Sequence, residues 1–148
     1  MAYTTTVTDS TGLGSKIEYT AVEATTLTTS EQFVAVPMGE YDWVRVDVQT
    51  VQASSSTDTC THRLLESSDG TSAKAAAAVA MAVGANQTVQ IVTVTTTGSA
   101  GTYNNVLSVD YSKNGYKKPK FVLLGSVTSG SNGTKTVSAV ITLGKNRA

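Results

Sequence analysis

The stretch Tyr41-Asp42-Trp43-Val44-Arg45-Val46-Asp47-Val48-Gln49-Thr50-Val51-Gln52 settles the class of fold. Val44, Val46 and Val48 fall on one side of an extended chain, and Arg45, Asp47 and Gln49 on the other. A period of two belongs to a strand with one face in a core and one in water. Trp43 falls on the polar side, at the start of the strand. Working outward, similar runs recur on both sides. Strands are predicted around Ile17–Val22, Glu31–Val36, Cys60–Glu66, Thr88–Thr96, Val106–Tyr111, Lys120–Val127 and Thr136–Leu143. In the last of these, Val137, Ala139, Ile141 and Leu143 share one face. Ala73–Ala77 reads as a short helical or irregular piece, with a further strand at Ala78–Val83. Pro37 with Gly39, Ala53–Asp58, Ser67–Gly70, Gly98–Thr102, Asn114-Gly115 and Ser129–Gly133 supply turn chemistry between the runs.

Composition agrees with that pattern. The 148 residues include 25 Thr, 19 Val and 16 Ser but only 2 Pro. Thr and Val are β-branched, lose side-chain freedom in a helix, and suit a pleated surface. The expectation is one all-β domain over residues 16–148, an antiparallel β-sandwich or jelly roll of about eight strands. Residues 1–15 are polar and Thr-rich and read as an extended N-terminal arm, loose unless a neighbour holds it.

Charge excludes several classes. Charged residues make up 15% of the chain, too few for a polyelectrolyte or a charged coiled coil. The net charge is zero, yet all eleven acids lie before residue 111, and Lys113 to Arg147 are basic only. If strands from both ends interleave in one sheet, the signs mix. Nucleic acid calls for a net basic domain, and Tyr116-Lys117-Lys118-Pro119-Lys120 is the sole hint of one, so no nucleic-acid partner is expected. No run of 18 apolar residues occurs, and the first twenty residues lack a basic and an apolar region, so neither a membrane span nor a signal peptide is expected. Cys60 is the only cysteine, which leaves no internal disulfide.

Reactive constellations are sparse. His62 is the only histidine and would share a strand face with Cys60. G-x-S-x-G is absent, and a triad needs a third orienting group. Cys60 and His62 are two zinc ligands without a second pair, and the acids near Glu66 and Asp42 lack calcium-loop spacing. No phosphate loop or dinucleotide fingerprint occurs. No catalytic, cofactor-binding or metal-binding residue is therefore assigned, and the expectation is a structural protein that works through contact.

Three segments carry a family resemblance: Tyr41–Val48, Arg63–Gly70, and the ending Lys120–Val127 followed by Thr136–Leu143. In layout the chain resembles the jelly-roll cement (decoration) proteins of short-tailed double-stranded DNA phages, the family of the Bordetella phage cement protein. It departs from them in carrying Lys117-Lys118-Pro119-Lys120 where aromatic or Arg residues are expected before the final strand pair. The resemblance implies a homodimeric or homotrimeric clamp on the outside of a phage head. It would be assembled in the bacterial cytoplasm and seated on the major capsid protein, with no cofactor. The candidate contact residues are Tyr3, Thr4, Thr5, Thr6, Val7 and Leu13 of the arm, then Trp43, then Lys117, Lys118 and Lys120. The alternative is a tail-, neck- or fibre-associated binding module, glycan-binding through Trp43 or through Tyr103, Tyr111 or Tyr116. A third reading, an enzyme using Cys60 and His62, requires a thiol reactive near neutral pH.

Overall fold

The computed structural model describes residues 4–9, 16–70, 90–95, 99–112 and 118–145. These form nine strands: β1 (Thr4–Asp9), β2 (Lys16–Thr26), β3 (Gln32–Pro37), β4 (Trp43–Gln52), β5 (Thr59–Ser67), β6 (Gln90–Thr95), β7 (Gly101–Asp110), β8 (Phe121–Thr128) and β9 (Lys135–Gly144). They pair antiparallel in two sheets, ordered β1-β2-β9-β4-β7 and β3-β8-β5-β6. Without β1, four strands stand on each side in the order of a jelly roll. The protein is thus an antiparallel β-sandwich, as the alternation in β4 requires.

Strand β4 lies between β9 and β7 in the larger sheet, with ten unbroken pairs to each. Its inward residues Val44, Val46 and Val48 are buried and meet Ile141, Leu143, Leu107 and Leu124 in one core. The extended segment expected over residues 1–15 contains β1, which β2 of the same chain holds from Thr4↔Thr20 to Asp9↔Lys16. A β-branched Thr-Thr-Thr-Val run can take up a free sheet edge without a core of its own. Strand β7 begins at Gly101, not Val106 as expected. Tyr103, Asn104 and Asn105 are drawn into extended pairing by Thr50, Gln49 and Val48, which overrides the turn preference of Asn. The helical or irregular piece and strand expected over 73–83 lie outside the described residues.

The late basic strands do interleave with the early acidic ones. Lys135 pairs with Asp58 at 3.1 Å and Lys145 with Glu40 at 2.9 Å.

Candidate ligand-binding face

The outward face of the five-stranded sheet is laid out by register. One row across it is Lys16, Gly144, Trp43 and Asp110; the next is Glu18, Thr142, Arg45 and Ser108. The six-membered ring of Trp43 lies over Gly144, where a Cβ would collide with it. Glycine at 144 is thus what lets the indole lie down on the sheet. Trp43 is half-buried, and a hollow of about 400 Å³ opens beside it, lined by Trp43, Val44, Arg45, Ser108, Val109 and Asp110.

Arg45 reaches along its own strand to Asp47, with Nη2 donating to Oδ1 at 2.9 Å and Nε donating to Oδ2 at 3.1 Å. Both side chains stay about half exposed. The hydrogen bond to Asp47, and then its charge, push the guanidinium pKa up. Asp110 Oδ1 accepts from Ser112 Oγ at 2.6 Å and from Ser112 N at 3.0 Å. Farther along, Gln49 Nε2 donates to Asn104 Oδ1 at 3.3 Å. Fixed donors and acceptors therefore flank one aromatic plate. Such a site suits a ligand with one apolar face and a hydroxyl rim.

A larger hollow, about 550 Å³, lies at the opposite end, lined by Ser55, Ser56, Thr57, Asn132 and Gly133. It has no aromatic residue and no charge in its lining, so volume and chemistry point to different ends of the molecule. We place the site where the chemistry is. The two turns at that end are nonetheless tied together by Lys135. Lys135 Nζ donates to Asn132 O at 2.8 Å, Asp58 Oδ2 at 3.1 Å, Gly133 O at 3.3 Å and Gly130 O at 3.5 Å. The ammonium holds the Asp58 carboxyl below its usual range.

The other sequence candidates fall as follows. Thr4, Thr5, Thr6 and Val7 lie in β1. Tyr3, Leu13, Tyr116 and Lys117 lie outside the described residues. Lys118 and Lys120 are exposed at the same end of the sandwich as Trp43, and Lys118 Nζ donates to Gly39 O at 2.8 Å. Tyr111 is buried and offers no platform; burial and then the Glu66 carboxylate push its phenol pKa up. Tyr103 packs against the core and donates from Oη to Ser99 O at 3.2 Å.

Cys60 and His62 share a face, as expected, but that face is the core. His62 Nε2 meets Thr50 Oγ1 at 2.8 Å and Nδ1 meets Ser126 Oγ at 2.9 Å. Burial lowers the ring's pKa to about 4, so the imidazole is neutral near pH 7, and a neutral ring donates from one nitrogen and accepts at the other. Burial also pushes the Cys60 thiol up, away from the thiolate that reactivity near neutral pH requires. Among the described residues, no group of three or more His, Cys, Asp or Glu is placed to hold a metal ion.

Sequence reasoning missed the buried Lys135, Gln52 and Glu66. The period of two contained the first two of these. Stepping back from Val137 gives Lys135, and stepping forward from Val48 gives Thr50 and Gln52, all on the inward face.

No protein-family model matches the chain, and no curated protein matches it. Among solved structures it is similar to a CBM4 module, at 10% identity and TM-score 0.35, covering 93% of this chain and 73% of that one. It is also similar to CBM28, a carbohydrate-binding module specific for non-crystalline cellulose, at 6% identity and TM-score 0.38, covering 96% and 73%. A third is the family 11 carbohydrate-binding module from Clostridium thermocellum, solved with a β-1,3-1,4-mixed-linked tetrasaccharide, at 13% identity and TM-score 0.34, covering 99% and 85%. At these values the likeness reaches no further than two packed β-sheets; the fold rests on this chain's own strand order.

Proposed function

We propose that this protein is a non-catalytic binding module that takes a glycan on the outward face of its five-stranded sheet. The observation that supports this is Trp43, laid over Gly144 beside a hollow rimmed by Arg45, Ser108 and Asp110. The apolar face of a pyranose stacks on the indole while its hydroxyls reach the fixed polar groups. Lys16, Arg45, Glu18, Asp47 and Asp110 nearly cancel in charge across the face, which favours a neutral sugar over an acidic one. Trp43 is the chain's only tryptophan, so its fluorescence reports the site directly. Titration with neutral oligosaccharides should shift Trp43 emission, and Arg45→Ala should weaken that shift. Trp43→Ala should abolish retention on the same glycan immobilised, with the far-ultraviolet circular dichroism unchanged. Full retention by folded Trp43→Ala protein sinks the reading.

A second reading, a phage-head cement protein seated on the major capsid protein, draws support from β1. Among the described residues this edge strand is held by β2 alone and is six residues long, so it is the kind of element that can exchange onto a neighbour. Deleting residues 1–12 should weaken attachment to undecorated heads while the remaining domain still folds; unaltered attachment removes the reading.

A further inference from the structure

Among the described residues each sheet leaves two edges, and they are not equally protected. Strand β3 is six residues long and ends at Pro37, which cannot donate to a further strand. Strand β1 is also six residues, with a register shift between Val7 and Asp9. Strand β6 is six residues. Strand β7 is the longest of these edges. It runs ten residues, carries no charge from Gly101 to Val109, contains no proline, and pairs with β4 without a bulge. Among the described residues, no strand pairs with its far side. Natural edges of this kind are blunted by lysine, proline or a bulge, or else they pair with another chain.

Two further observations point to a missing neighbour. Val106, at the middle of β7, is 51% exposed, and the other outward residues of that strand are polar. On the inward side, Tyr103 and Asn105 are only half-buried.

We infer that β7 is a dimer seam, at which the β7 strands of two copies of this chain pair antiparallel about a two-fold axis through Val106. That axis sets Val106 opposite Val106, Asn104 opposite Ser108, and Thr102 opposite Asp110, with outward residues facing outward residues throughout. The register is self-complementary: apolar meets apolar at the centre, uncharged Asn104 and Ser108 meet on either side, and the two Asp110 carboxylates fall at opposite ends, each facing a threonine. Two five-stranded sheets become one ten-stranded sheet, and both Trp43 faces end up on the same side of it. The inference does not depend on what those faces bind.

The test uses the full chain in sedimentation velocity and light scattering over micromolar to millimolar concentration. The unaltered protein should associate to a dimer. Val106→Lys sets like charges directly opposite each other and should weaken the dimer at least roughly tenfold. Its melting temperature and circular dichroism, measured as monomer, should match those of the parent, because the side chain it replaces is exposed. Val106→Cys should close an intermolecular disulfide under mild oxidation, and Ser108→Cys should not, because Ser108 faces Asn104 of the second copy. Cys60 is buried and stays out of the reaction. A chain that is monomeric throughout overturns the seam. So does a dimer that tolerates Val106→Lys, or equal cross-linking at positions 106 and 108.

Discussion

The two halves of the sandwich interior are built from different chemistry. From the middle toward Trp43 the inward positions are Val44, Val46, Leu64, Leu124, Ile141 and Leu143, all buried, with the buried Glu66 as the polar exception. Toward the Ala53–Asp58 and Ser129–Gly133 turns they become Thr50, Gln52, His62, Ser126, Thr128 and Lys135, buried just as deeply. The apolar half is held by area and shape and so answers to volume. The polar half is held mainly by hydrogen bonds, with Gln52 Oε1 left unpaired, so it answers to pairing and to pH.

The largest difference should appear when volume is removed from the apolar half. Ile141→Ala should lower stability by about 2–5 kcal/mol, and Ile141→Val by only about 0.5–1.5 kcal/mol, measured by urea unfolding. Equal losses would mean that the site collapses around the cavity.

Acid should find the polar half next. His62 is neutral in the fold, with its pKa lowered to about 4, whereas the unfolded chain takes up the proton near its ordinary value of 6.5. The unfolded state therefore binds more protons between those two values. The contribution of His62 is full above about pH 6.5 and falls as the pH drops toward 4, by about 3 kcal/mol in all. Urea melts at a series of pH values should show that slope, and His62→Gln should flatten it within the same window. A slope that persists in His62→Gln belongs to other groups.

Smaller still is the loss of one hydroxyl. Thr50→Val keeps the shape but leaves a ring nitrogen of His62 without its partner, at a cost of about 1–3 kcal/mol. The smallest effect should come from outside the core. Arg45→Gln removes an exposed ion pair to Asp47 and should leave the melting temperature within the scatter of ordinary surface changes.

These contrasts also mark what could be read from the chain alone. Val44, Val46 and Val48 disclosed the fold because an apolar residue at every second position has few other homes. The same alternation placed Trp43, Arg45 and Asp47 together outside. It could not disclose the polar half, because Thr50, Gln52 and Lys135 look like solvent-facing residues until their inward register is known. Glu66 and Tyr111 escaped for the same reason. The indole's resting place on Gly144 was hidden too, since residues 101 apart in sequence meet there only through the β4–β9 register. Strand β7 starts five residues before the predicted Val106 because β4 holds Gly101 to Asn105 in extended pairing, which the local Asn104-Asn105 sequence does not disclose.

Lys135 has a consequence for solution behaviour. Its ammonium sits among one carboxylate and three main-chain carbonyl oxygens, a shell of hard oxygens of the sort that hold dissolved cations. Here the positive charge is tethered by a covalent stem, and its effective concentration does not fall on dilution. Chelators and desalting cannot strip it away, so the two turns it clasps should stay closed in media that would unlace a loop pinned by a free ion.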